Sequence, residues 1–301
     1  MRQLPYHLVD VFTDRAFGGN QLAVFTDGRG IASETMQQLA KELNLSEITF
    51  VLPPDDPNNH YRVRIFTPAT EMPMAGHPTV GTSFVLAREK LIDTSGSHVT
   101  IRLEEKVGTI PVALDLNDGL PTLIAMQQPL PTFGSIYQNW QAIADMLSIT
   151  LEDFDAAYPL QVVSCGVPFL FVPLKTLQAV QKVRLRIDVW ERALRDFETP
   201  HVFVFTRETA TAEGTVHSRM FAPALGIAED PATGAASGPL GCYLVQHKII
   251  SANPAVIISE QGFEMGRPSI IRIEIESMGG DITRVGVGGQ CVYMGAGFIA
   301  V

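Results

Sequence analysis

"GHPTVGTSFVLAREK" runs from Gly76 to Lys90, and "GAASGPLGCYLVQHK" runs from Gly234 to Lys248. Each opens on a glycine, continues in small and apolar residues, and turns polar only near its end, at Arg88 and at Gln246. A helix that is apolar on every side has no face to offer water and must be buried. The chain holds two such stretches, so each needs something to enclose it.

The flanking sequence repeats as well. "VRIFTPA" (63–69) and "SRMFAPA" (218–224) share the pattern R-x-F-x-P. "MQQLAKELNLSEITFV" (36–51) and "WERALRDFETPHVFVF" (190–205) are each an amphipathic helix followed by a β-rich run, and "VVSCGVPFLFVPL" (162–174) matches the opening strand pair. The offsets of these matches stay between 153 and 155 residues, and three further residues precede the second buried helix. Ordered matches at a nearly constant offset indicate a duplicated unit. Apolar, β-branched runs at 7–12, 20–25, 48–52 and 61–66 read as strands, the first two joined by the Gly18-Gly19 turn. A helix is expected from Ser33, placed as its cap, through Leu43. Another is expected with Ile136, Trp140, Ile143 and Leu147 on one face. Strands are the only elements numerous enough to enclose the buried helices. The expected fold is therefore α/β (α+β), with two pseudo-symmetric halves, each a curved, mainly antiparallel sheet wrapped around a central helix. The halves are placed at 1–128 and 129–301, with a last strand that can cross back to the first half.

Composition narrows the function. With 46% hydrophobic and 18% charged residues, the 301-residue chain is that of a packed globular protein. A net charge of −10 argues against nucleic acid or an anionic membrane as partner. There is no signal-peptide pattern and no long apolar run, so a cytoplasmic location is expected. Cys165, Cys242 and Cys291 form no C-x-x-C pair, and the seven histidines show no metal-ligand spacing, so no metal site is expected. "GHPTVGTS" lacks the lysine of a P-loop, and "GVGGQ" lacks the context of a dinucleotide fingerprint.

Two helix starts remain. The first turn of a helix presents unbonded N–H groups and about half a positive charge. A pair facing one cleft between the halves suits a small organic acid; equally, Gly76 and Gly234 can simply permit close packing. Glu47, His77 and Asp230 are the acid–base candidates. Glu47, at a helix–strand junction, projects opposite Ile48 into either a cleft or water. His77, at a helix start, is held neutral by the helix end or acts as a cap. Asp230 serves the site or caps the second helix.

The phrases "VDVFTDRAFGGNQLAV", "LNLSEITFV", "RIFTPATEMPMAGHPTVG", "MFAPALGIAEDPATGAASG" and "SEQGFEMGRPS" run nearly end to end through the chain. In these the chain resembles the phenazine-biosynthesis PhzF-like isomerase family, whose fold is that of diaminopimelate epimerase. The resemblance implies a homodimeric isomerase without metal or cofactor, relocating a proton on a small carboxylate-bearing substrate. It makes Glu47 the acid/base residue, with His77 and Asp230 completing the catalytic set. Substrate-binding positions fall on Asn20, Ser46, Gly76, Gly234 and Ala235. Relatives often carry Ser, Asn or Thr at the position of Ala235, so here only its backbone N–H can serve. Burial of a carboxyl would raise its pKa and make it a better base. A small-acid binding protein without catalysis and a one-base racemase or epimerase are the alternatives. The two-thiol racemase is disfavoured, because the neighbourhoods that match its cysteines contain His77 and Thr233, and the three cysteines lie elsewhere.

Overall fold

The computed structural model describes residues 2–301. It divides into two compact units, the residues up to Gln127 together with Gly286–Val301, and Gln128–Val285. The final strand thus belongs to the first unit.

The first unit runs β1 (Gln3–Val11), β2 (Asn20–Phe25), α1 (Ser33–Leu43), β3 (Glu47–Leu52), β4 (Tyr61–Phe66), β5 (Glu71–Met72), α2 (Gly76–Arg88), β6 (His98–Glu105), β7 (Gly108–Asn117) and β8 (Leu120–Gln128). The second continues with β9 (Thr132–Ile136), α3 (Trp140–Leu147), β10 (Gln161–Ser164), β11 (Pro168–Pro173), α4 (Leu177–Lys182), α5 (Ile187–Leu194), β12 (Val202–Thr206), β13 (Val216–Ala222), β14 (Ile227–Asp230), α6 (Gly234–Gln246), β15 (Ala255–Gln261) and β16 (Ser269–Met278). β17 (Asp281–Gly289) and β18 (Cys291–Ala300) close the chain.

Strand pairing repeats unit by unit. In the first, β1 pairs antiparallel with β2, β2 parallel with β3, β3 antiparallel with β4, β4 parallel with β6, and β6 antiparallel with β7. In the second, β10, β11, β12, β13, β15 and β16 follow the same order of senses. A short hairpin hangs from β4 and from β13 in turn. Each unit is a mixed sheet, mainly antiparallel, curved around one helix.

Both faces of these sheets are covered, which explains the apolar runs in their central strands. In the first unit, Ala23, Phe25, Ile48, Phe50 and Phe66 pack with Met36, Leu39 and Ala40 of α1. The alternate residues face α2, which is buried from Gly76 to Ala87. A methyl group on Gly81 would sit 2.6 Å from Leu22 Cδ2 and 2.7 Å from Val11 Cγ2, so α2 lies closer to the sheet than a larger residue permits. In the second unit α3, α4 and α5 cover one face, while α6 is buried from Gly234 to Leu244.

The repeated R-x-F-x-P motif has a physical reason. Arg64 forks onto Glu71 with bonds of 2.8 and 2.9 Å, and Arg219 forks onto Glu229 with bonds of 2.7 and 2.9 Å. Each guanidinium lies over the phenylalanine two residues on, at 5.0 and 5.1 Å. The pair staples the hairpin that leads to each buried helix. Arg219 also donates to the carbonyls of Val180 and Val183, tying down the end of α4.

Two expectations need correction. Ser33 does not cap α1; the cap position is Ala32, and Ser33 Oγ accepts a bond from Arg64 instead. Ile136 is not on the middle helix. It ends β9 and is exposed, because the helix starts later, where Asn139 accepts the N–H of Ala142.

The two staples differ in burial, with the arginine side chain 22% exposed at Arg64 and 5% at Arg219. Arg219→Ala strands Glu229 and several carbonyls, at a cost of about 3–5 kcal/mol. Urea denaturation should show Arg64→Ala losing clearly less.

Candidate active site

Asn44 ends α1 in the left-handed conformation, its N–H returning to Ala40 O, a common helix stop. The chain reverses through Leu45 and Ser46 and enters β3 at Glu47. Successive strand residues alternate faces. Ile48 joins the α1-side core, while Thr49 Oγ1 lies 2.8 Å from Thr82 Oγ1 of α2. Glu47 shares the face of Thr49 and is directed at the start of α2.

There it meets His77, the second residue of α2, with Oε2 3.5 Å from Nε2. Both residues are buried. Asn20, the first residue of β2, places its Nδ2 3.1 Å from His77 Nδ1. An Asn20 amide donating to Nδ1 would leave the single imidazole proton on Nε2, on the side of Glu47. Burial drives the His77 pKa down to about 3; a hydrogen bond with the Gln21 backbone opposes this and loses. The imidazole is therefore neutral at physiological pH, as a helix N-terminus also favours. Gly76, one residue earlier, opens the helix. Ser46 is half-buried beside Glu47 in the sequence.

In the second unit, Asp230 ends β14 and is buried. Its Oδ2 accepts the Thr233 hydroxyl at 2.5 Å. Gly234 and Ala235 form the first turn of α6, both buried. The structure thus brings Asn20, Glu47 and His77 together in one unit. It brings Asp230 to the start of α6, with Gly234 and Ala235, in the other.

The sheet register reveals what the repeat alone did not. Arg64 pairs with Phe50 and its equivalent Arg219 pairs with Val204; three residues back along the chain stand Glu47, the first residue of β3, and His201, just before β12. His201 is buried on the α6 side of its sheet. Phe203, on the same face, packs at a tilt against Phe171, and Phe205 packs against Tyr243 of α6. Burial lowers the His201 pKa to about 4, and Nδ1 has no hydrogen-bond partner among the described residues. Met72 and Asp230 are likewise equivalent, facing Ile65 and Met220. His201 went unread because a lone histidine beside Pro200 carries no motif; extending the repeat offset by residue would have found it.

Among the described residues no three His, Cys, Asp or Glu side chains are grouped to hold a metal ion, and no helix is long and apolar enough to cross a membrane. Cys165 and Cys242 are buried with their sulfurs 3.9 Å apart, and neither is in a disulfide.

A duplicated mixed sheet around a buried helix, with its polar groups at the helix start, is the diaminopimelate epimerase type of fold. A protein described as a probable proline racemase from Agrobacterium radiobacter shares it across 99% of this chain and 93% of its own, with a TM-score of 0.70 at 11% identity. Much nearer is a phenazine biosynthesis protein of the PhzF family from Bacillus anthracis, with a TM-score of 0.90, 26% identity and full coverage of both chains. The chain matches the phenazine biosynthesis-like protein family (PhzC-PhzF) over residues 9–297, and it belongs to that family. It is 38% identical to the trans-2,3-dihydro-3-hydroxyanthranilate isomerase of Pseudomonas aeruginosa, over 95% of each chain. It is 37% identical to an uncharacterised isomerase of Mesorhizobium japonicum, over 99% of each. The chain is an isomerase of this family.

Because burial keeps His77 neutral, its ring resonances should stay constant between pH 5 and 8 in two-dimensional NMR. In Asn20→Ala the pattern should shift toward a mixture of tautomers.

Proposed function

We propose that the enzyme relocates a proton on a small carboxylate-bearing substrate without metal or cofactor, with Glu47 as the acid/base. The observation that carries this reading is the buried Glu47 carboxyl set 3.5 Å from a neutral imidazole. A carboxylate can lift a proton from an activated carbon and return it to another, and such catalysis contributes about 10²–10⁴-fold. His77 stays uncharged, so it can offer its Nε2 proton as a hydrogen bond without pulling Glu47 into a permanent ion pair. Asn20 holds that orientation. The N–H groups at Gly76 bind developing negative charge, a task suited to a helix start.

The same reading gives Asp230 and the N–H groups of Gly234 and Ala235 to substrate recognition, with Ser46 beside the base. The Asp230 carboxyl accepts the Thr233 hydroxyl, fitting it as an acceptor for a substrate N–H or O–H group as well. Ala235 contributes no side-chain donor, so any discrimination at that point comes from the backbone. The relative in Pseudomonas aeruginosa makes trans-2,3-dihydro-3-hydroxyanthranilate the first compound to offer.

Turnover of that compound and related cyclic acids is followed by chromatography for wild type, Glu47→Gln and Glu47→Asp. Glu47→Gln should lower kcat by about 10²–10⁴ while leaving the fold intact, and dialysis against EDTA should leave wild-type turnover unchanged. A Glu47→Gln protein as active as wild type would refute the assignment of the base; loss of activity on chelation would refute the metal-free mechanism.

A further inference from the structure

Strand β6 ends in Glu104 and Glu105, and β15 ends in Glu260 and Gln261. The parallel ladders make these pairs equivalent. Arg62 faces Glu104 and His217 faces Glu260, each two residues before the repeated arginine. The outer members do the same work. Glu104 accepts the N–H groups of Asp55 and Asp56 at 2.7 and 2.6 Å, and Glu260 accepts those of Ala210 and Thr211, both at 2.7 Å.

The inner members both grip the residue that precedes a buried helix. Gln261 Oε1 accepts the Thr233 N–H at 3.0 Å. Its Nε2 donates to Asp230 O at 2.7 Å and to Thr233 Oγ1 at 2.9 Å. A backbone amide can only donate, so the orientation of the Gln261 amide is fixed. Thr233 then sends its own proton to Asp230 Oδ2. Gly262 lets the strand end come this close, since a methyl group there would lie 2.5 Å from Pro231 O.

In the first unit Ala75 stands where Thr233 stands in the second, as the residue before the helix. Glu105 takes the Ala75 N–H and contacts Thr79 Oγ1 through Oε1. That hydroxyl also lies 2.6 Å from Ala75 O. One hydroxyl proton cannot serve two acceptors. The network closes when Glu105 is protonated and donates to Thr79, which donates to Ala75 O. Oε2 of Glu105 is buried with no hydrogen-bond partner among the described residues, a place that suits a neutral carboxyl better than a carboxylate.

We propose that Glu105 and Gln261 are equivalent positioning residues, a protonated carboxylic acid and its amide isostere, which hold the starts of α2 and α6 in working orientation. The catalytic side of this rests on the reading that those helix starts bind substrate. Burial pushes the Glu105 pKa up to about 8 against the pull of Thr79 and Ala75. Glu105 also lines a groove of about 690 Å³ with the Asp55–Asp56 pair, Arg62, Arg64, Glu71, Glu104 and Lys106. Arg62 pairs there with Asp55, and Arg64 and Lys106 pair with Glu71, so each cation already meets another carboxylate.

The stability consequence has a definite sign. Glu105 titrates near 4.5 in the unfolded chain and near 8 in the folded one, so the native state holds an extra proton between these values. Its contribution is complete below the lower value, declines as pH rises, and is lost above the upper one. Glu105→Gln has no proton to lose.

The test compares wild type, Glu105→Gln and Glu105→Ala by melting temperature from pH 5 to 9, by the Ala75 amide resonance, and by kcat/KM for trans-2,3-dihydro-3-hydroxyanthranilate. The Tm of Glu105→Gln relative to wild type should climb up to pH 8 and then level. Glu105→Gln should keep kcat/KM within about twofold, while Glu105→Ala shifts the Ala75 amide and loses about tenfold, the worth of one lost hydrogen bond. A Tm difference that does not change with pH, or a Glu105→Gln protein as impaired as Glu105→Ala, would overturn the proposal. If wild type fails to turn over the compound, the substrate reading falls, while the Tm and amide data still decide the clamp. Should Glu105→Ala not fold, the isosteric Glu105→Gln decides through its Tm profile.

Discussion

A helix without a polar face must be enclosed on every side, and nearly everything else in this protein follows from that. Burying residues such as Val80, Phe84, Val85 and Leu86 contributes about 1.5–3 kcal/mol each. The same enclosure takes the first turn of the helix out of water, where its N–H groups need partners. The chain answers with strand ends. Glu105 and Gln261 reach the residues before α2 and α6, and the Arg–Glu staples hold the hairpins leading into them. What is left at each helix start is a small, fixed set of polar groups.

The frame repeats but the chemistry does not. In the duplicated pattern, strand register makes Glu47 equivalent to His201, Met72 to Asp230 and Glu105 to Gln261, and position in the buried helices makes His77 equivalent to Ala235. A carboxyl and a neutral imidazole lie together at α2. At α6 the Asp230 carboxyl accepts the hydroxyl of Thr233, beside the Gly234-Ala235 helix start. A two-thiol racemase would need matching groups in both halves, and the sequence supplies them in neither.

Much of this was legible in the residues. Apolar-all-round helices announce themselves, because no solvent-facing stripe interrupts Thr79–Ala87. The R-x-F-x-P repeat was visible because its arginine and phenylalanine each have a distinct part in the staple. Glu47 could be placed at a strand start, and its face followed from the alternation with Ile48. Less legible were the groups whose role depends on strand register. Gln261 lies in a phrase shared with the family, yet nothing local says that its amide grips Thr233. Glu105 reads as half of an ordinary surface "EE". Ser33 and Ile136 misled for a simpler reason: a cap residue and a helical spacing are local signals, and tertiary partners, Arg64 for one and the β9 pairing for the other, took precedence.

In the proposed reaction one carboxyl moves a proton between carbon atoms. The most direct measurement is NMR of the product formed in D₂O from trans-2,3-dihydro-3-hydroxyanthranilate, for wild type and Glu47→Gln side by side. Deuterium entering at carbon with the wild type and absent with the variant is the expected result. Carbon-bound deuterium appearing at the same rate in both would contradict it.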